Sequence, residues 1–167
     1  VTNLRIYNSY NTAEMQIDGY SIDLTTARTE IYKSPGENPI VTPSNIKTDL
    51  KRRDLNINAI AVDLKSNVIL DPFNGKEAIK HKQISFLHSK SILEDPTRII
   101  RGARYAARLN FDLDTKAILQ IKSTLLRWPW HWSMGMPKEL APPSLGIRLR
   151  MEIDLLFKED SWENVLG

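Results

Sequence analysis

One segment limits the fold more than any other. From Asp95 the chain reads Asp95-Pro96-Thr97-Arg98-Ile99-Ile100-Arg101-Gly102-Ala103-Arg104-Tyr105-Ala106-Ala107-Arg108-Leu109. With Arg98 as origin and 100° per residue, Arg101, Arg104 and Arg108 fall at about 300°, 240° and 280°. Four arginines therefore share a stripe roughly 120° wide, while Ile99, Ile100, Ala103, Ala106 and Ala107 fall between about 80° and 200°. Such a helix needs a core against its apolar face and anions against the neighbouring one. The anions are either scattered ion partners on a solvated surface or a ligand's phosphates and base edges, which a guanidinium grips with two donors at once. Asp95 and Pro96 open the helix as N-cap and first helical residue.

The segments before this helix read as strands and turns. Residues 4–7 alternate, and the runs 15–17 and 20–24 flank Asp18-Gly19, a strong two-residue hairpin signal. Ser34-Pro35-Gly36 and Asn38-Pro39 break the chain into loop, and Ser44 is placed to cap a helix reaching Lys51. Residues 59–64 and 68–70 form a second expected hairpin around Lys65-Ser66-Asn67, ended by Pro72 and Asn74-Gly75. After that the character changes: helical patterns cover 92–109, 114–126 and 144–157. Trp128-Pro129-Trp130-His131-Trp132, followed by Pro137, Pro142 and Pro143, is expected to be irregular. The whole reads as an α+β fold, a head over residues 1–82 followed by a helical neck over 83–167.

Composition closes off several chemistries. The chain has 167 residues, no cysteine and three histidines, so it holds no disulfide, no thiolate zinc site and no cysteine nucleophile. It has no apolar run of membrane-spanning length and no signal segment, and a reducing compartment, cytoplasmic or organellar, is expected. The net charge is only +3, so the placement of charge matters more than its sum. Three tryptophans at 128–132 can stack on RNA bases or pack on the neck helices.

Two pairs of residues carry the candidate chemistry. Asp95 accepts from an exocyclic amine, and Arg98, on a neighbouring part of the helix surface, donates to a ring nitrogen or carbonyl. Adenine and cytosine present an amine beside an acceptor on their pairing edge, whereas uracil and guanine present the opposite order, so one Asp/Arg pair can accept the first two and reject the others. Further back, Lys51-Arg52-Arg53-Asp54-Leu55-Asn56-Ile57-Asn58-Ala59 places a basic triplet before an aspartate and an alternating run. There Arg53 can hold a phosphate while Asp54 accepts from a sugar hydroxyl.

At these residues the sequence resembles the class II tRNA nucleotidyltransferases, the CCA-adding enzymes and their poly(A) polymerase relatives. The stretch 51–59 is similar to their Arg-Arg-Asp-Phe-Thr-Ile-Asn-Ala motif. Glu94-Asp95-Pro96-Thr97-Arg98 through Arg104 is similar to their base-reading motif, and Asp71-Pro72-Phe73-Asn74-Gly75 to their Asp-Pro-Phe-Gly-Gly turn. Residues 22–30 resemble the family's strand and following loop, and Ile147-Arg148-Leu149-Arg150-Met151-Glu152 its neck helix. The matches keep the family's order over most of residues 10–157. The resemblance implies a nucleotidyltransferase head with a small mixed sheet, an all-helical neck, and addition of CMP and AMP from CTP and ATP to the tRNA 3′ end with release of pyrophosphate. It implies that Asp95 and Arg98 read the base, that Arg53, Arg101 and Arg104 hold the nucleotide and its triphosphate, and that Asp54 contacts the ribose. It also implies Mg²⁺, with Asp23 as a supporting acid and Arg148/Glu152 as a structural helix pair.

The sequence departs from the family at its start. The Gly-Gly turn and the Asp-x-Asp pair that carry the metals do not precede Asn11, and Asp112-Leu113-Asp114 reads as a turn and helix cap. The chain begins at Val1 rather than Met, as a piece of a longer protein would. The expectation is a fragment that lacks the metal-binding half of the site and transfers no nucleotide alone, with a separate N-terminal fragment as a candidate partner. The alternative is a nucleotide- or RNA-binding module derived from the same family.

Overall fold

The computed structural model describes residues 2–7, 11–127, 136–137, 142–160 and 163. Strands β1 (Thr2–Tyr7), β2 (Thr12–Ile17) and β3 (Tyr20–Thr25) form an antiparallel sheet in that order. Asp18 (φ 49°) and Gly19 (φ 83°) both take the positive φ that a two-residue hairpin turn of matching twist demands. The register sorts the side chains cleanly. Leu4 and Ile6 stand opposite Met15 and Ala13, which stand opposite Ile22 and Leu24, whereas Arg5, Glu14 and Asp23 line up on the other face.

Strands β4 (Arg28–Ile31) and β5 (Ile40–Pro43) pair antiparallel around the loop 32–39. Helix α1 (Ile46–Lys51) follows. Its cap is Asn45, whose side chain accepts from the Thr48 N–H at 3.0 Å, and not the expected Ser44. Ser44 instead donates its N–H to the Ala27 carbonyl, prolonging the strand pairing by one residue. Strands β6 (Ala61–Val62) and β7 (Ile69–Leu70) make the second expected hairpin, shorter than its sequence pattern. Helix α2 (Gly75–Lys80) then leads to β8 (Gln83–Ile84).

The long helical pattern of 92–109 is two helices, α3 (Ser91–Glu94) and α4 (Thr97–Leu109). They part at Asp95, whose extended backbone (φ −146°, ψ 100°) is the conformation that a following proline imposes. Asp112–Leu113, expected as part of a turn, is a short strand, β9, parallel to β8. Asp114 does cap the next helix, α5 (Thr115–Arg127), accepting from the Ala117 N–H at 2.7 Å. A 3₁₀ turn (Pro143–Leu145) precedes α6 (Ile147–Leu156). The described strands thus form four small sheets beside helices, an α+β architecture. The Trp128–Trp132 stretch lies outside the described residues.

The core gathers Leu55, Ile84, Phe86, Ile92 and Ala117, with Ile99, Tyr105, Ala106, Phe111, Leu113 and Ile121 packed against it. It therefore draws on residues from both sides of position 82. Asn56 pins this junction: its N–H donates to the Ser85 carbonyl at 3.0 Å, and its side-chain oxygen accepts from the Ser85 N–H at 3.1 Å. The Asp-Pro-Phe-Asn-Gly turn locks against the same place. Asp71 accepts from the N–H groups of Gly75 (2.6 Å) and Lys76 (2.9 Å), and Asn74 adopts the left-handed conformation (φ 56°). A Cβ on Gly75 would stand 2.5 Å from the Asn56 carbonyl oxygen, whereas one on Gly102 would meet side chains alone, the Phe86 ring at 3.2 Å and Leu113 at 3.6 Å.

These two glycines should respond differently to alanine. Gly75→Ala meets backbone that cannot yield and should lose about 1–3 kcal/mol in urea denaturation. At Gly102 the ring can shift a few tenths of an ångström, and the gain in helix propensity of up to about 1 kcal/mol offsets the crowding, so the net change should be smaller.

Candidate nucleotide site

The arginine row of α4 is not a solvated face. Arg98 and Arg104 are each only 6% exposed, more buried than the alanines of the expected packing face. The Arg98 guanidinium donates to the Ser91 hydroxyl (2.7 Å), the Arg52 carbonyl (3.2 Å) and the Tyr32 hydroxyl (3.5 Å). Arg101 donates to Asp54 at 2.6 Å and to Glu152 of α6 at 2.8 Å. Arg104 reaches Glu152 (3.3 Å) and Glu159 (2.9 Å), and Arg108 reaches Glu159 at 3.5 Å. All three stack about Tyr105, whose ring centroid lies 6.0, 5.4 and 4.5 Å from their guanidinium carbons.

The segment before the core supplies the opposing wall. Asp49, 2% exposed, accepts from Arg52 at 2.7 Å, from Arg53 at 3.1 Å and from the Arg28 N–H at 3.1 Å. Burial alone would push its carboxyl up, but these donors hold it below the usual carboxylate range. Asp54 is built the same way. Burial opposes its charge, and the Arg101 guanidinium, the Asn58 amide and the Leu55 N–H more than offset that and keep it low. Tyr32, buried beside Glu30, has its hydroxyl pushed up to about 12 and stays a donor.

Together these walls enclose a cleft of about 670 Å³. Arg53, Asp54, Asp95, Arg98 and Arg101 all line it, so five of the residues singled out in the sequence converge on one cavity. Arg104 does not line it, because Glu152 and Glu159 hold its guanidinium away. Asp23 does not line it either and stands on β3 opposite Glu14. Arg148 and Glu152, expected to pair with each other along α6, instead reach separate partners. Arg148 donates to Asp95 at 2.8 Å, and Glu152 accepts from Arg101 and Arg104. A four-residue spacing brings two side chains near, but here opposite charges from α4 and from the turn before it reach each of them instead.

Sequence reasoning passed over Tyr32, Arg52, Tyr105 and Asp49. Asp49 had a visible signal, since it precedes Arg52 and Arg53 by three and four residues on a helix. Tyr32 had none, because it reaches Arg98 from 66 residues away.

No group of three His, Asp or Glu side chains among the described residues is placed to hold a metal ion; Asp23 and Glu14 stand opposite each other as a pair of carboxylates on neighbouring strands.

The cleft thus gathers a carboxylate–guanidinium pair and further arginines within a small α+β architecture. Over residues 2–85 the chain matches the Poly A polymerase head domain family. It belongs to that family, among the tRNA nucleotidyltransferases. It is 36% identical over 167 residues to the A-adding tRNA nucleotidyltransferase of Aquifex aeolicus (strain VF5), a match covering 98% of this chain and 19% of the relative. A solved CCA-adding enzyme, apo form II, superposes with a TM-score of 0.82 at 29% identity, over 98% of this chain and 37% of that one. A tRNA nucleotidyltransferase complexed with a primer tRNA and an incoming ATP analogue superposes at 0.74 and 33% identity, over 98% and 43%. The chain thus spans less than half the length of each.

The buried acids should make stability pH-dependent. The depressed carboxyls of Asp49 and Asp54 contribute fully above the ordinary carboxylate range, and their contribution is lost as pH falls through their folded values. Resistance to urea should fall on acidification below about pH 4, with a shallower slope in Asp54→Asn. At neutral pH, Glu152→Gln, which weakens the hold on Arg101 and Arg104 together, should lower stability by about 1–3 kcal/mol.

Proposed function

We propose that this protein is the nucleotide-selecting part of a tRNA nucleotidyltransferase, which adds CMP and AMP from CTP and ATP to the tRNA 3′ end. One observation carries the reading. Asp95 and Arg98 stand at the start of a single helix and both line the cleft that also holds Arg53, Asp54 and Arg101. An acceptor and a donor fixed side by side select the amine-plus-acceptor edge shared by adenine and cytosine. Arg53 and Arg101 supply positive charge for a triphosphate, and Asp54 supplies an acceptor for the ribose. Residues 1–82 serve as the head and 83–167 as the neck. The kinship with the Aquifex A-adding enzyme and the tRNA-bound structure supports a tRNA 3′ end as the second substrate.

Equilibrium binding with labelled nucleotides tests the selection. The purified chain should bind ATP and CTP about tenfold or more tightly than UTP and GTP. Asp95→Ala should erase that preference, and equal affinity for all four in the unaltered chain would refute the reading.

The second reading is a nucleotide- or RNA-binding module without catalysis, derived from the same family. On either reading we expect the chain alone to bind nucleotide without transferring it. Incubation with tRNA lacking its terminal nucleotides, Mg²⁺ and labelled ATP or CTP should leave the tRNA unlabelled. Restoration of labelling by an added head segment bearing a Gly-Gly turn and an Asp-x-Asp pair would favour the enzyme, and continued silence with nucleotide still bound would favour the module.

A further inference from the structure

We propose that Arg148 is a positioning residue that sets which base the cleft accepts, by tying the one available oxygen of Asp95 to the 32–39 loop. The proposal rests on the nucleotide reading above and goes beyond it to a residue on a different helix.

Asp95 has little freedom to offer. Its Oδ1 is occupied by its own helix start, accepting from the Thr97 N–H at 3.0 Å and the Thr97 hydroxyl at 2.6 Å. Only Oδ2 remains for a base, and its protein donor among the described residues is Arg148, at 2.8 Å. A carboxylate oxygen has two acceptor directions. With Arg148 on one, the other is left for an incoming amine, in a direction that Arg148 dictates.

A second guanidinium nitrogen of Arg148, Nη2, donates to the carbonyls of Gly36 (2.7 Å) and Glu37 (3.1 Å). Because the guanidinium is planar and rigid, the loop and Oδ2 are held at a fixed separation. The loop is seated on both sides. Gly36, buried with φ 77°, gives its N–H to the Glu94 carbonyl at 3.1 Å and accepts from the Ser144 N–H at 3.0 Å. The next loop residues, Asn38 and Pro39, line the cleft.

Arg98 is supported independently, by Ser91 and the Arg52 carbonyl. The donor half of the base-reading pair is therefore fixed without α6, whereas the acceptor half depends on its own helix start at Oδ1 and on α6 at Oδ2. Removing Arg148 should rotate the acceptor relative to the donor while leaving Arg53 and Arg101, which meet the phosphates, where they are. A mere strut would behave differently, weakening every ligand in parallel.

The test measures binding of ATP, CTP, UTP and GTP, and competition by inorganic tripolyphosphate, for the unaltered chain, Arg148→Ala and Arg148→Lys. The expected result is that both variants lose about tenfold or more of the preference for ATP and CTP, while tripolyphosphate competes as before. Lysine keeps the charge but cannot span Oδ2 and two carbonyls, so it should not rescue. Where Arg148→Ala does not fold, as judged by thermal melting, Arg148→Lys carries the test. Retained preference in a folded variant would overturn the proposal, as would a parallel loss for all four nucleotides and tripolyphosphate. Absence of any preference in the unaltered chain would overturn the nucleotide reading itself, and the two failures are thereby distinguished.

Discussion

A guanidinium cannot shed its charge when it is buried. Arg98 and Arg104 are both almost wholly out of water, and the arrangement of the chain around α4 follows from the need to satisfy them. Arg98 draws in the Tyr32 hydroxyl and the carbonyl at the end of α1, and Arg104 draws in two glutamates from the last described helix region. Without those partners each charge would cost several kcal/mol in desolvation. The row that first reads as a surface stripe is thus the place where the end of α1, the segment around Asp54 and α6 are drawn together.

The same demand shapes the acids. Asp49 and Asp54 sit in apolar surroundings that oppose ionisation, and each is held charged by arginines from its own or a distant segment. Such networks add little net stability compared with an apolar core of the same volume. Their value lies in definition of place: Asp54, Asp95, Arg98 and Arg101 are each held by named partners, so a ligand meets a prearranged set of groups and not a flexible brush of side chains.

Much of this was legible in the amino-acid sequence because it is local. The Asp18-Gly19 hairpin, the left-handed Asn74 turn and the Asp114 cap are each dictated by a few adjacent residues. The convergence of Arg53, Asp54, Asp95, Arg98 and Arg101 was reached through the resemblance, whose motifs carry long-range pairing that no periodicity displays. What escaped was non-local. The parallel β8–β9 pairing depends on a backbone partner some 29 residues away, and Arg148 turns from Glu152 to Asp95 only because α6 lies against α4. The burial of the arginine stripe escaped for the same reason, since the glutamates that cover it lie 48 to 55 residues further on.

The core straddles residue 82, with Leu55 on one side and Ile84, Phe86 and Ile92 on the other. Apolar packing therefore joins the stretches on either side of that position. α4 and α6 meet instead through charge pairs, Arg101 and Arg104 with Glu152, that are largely out of water. The spacing between α4 and α6 is therefore set by one shared carboxylate, Glu152, that two arginines grip at once.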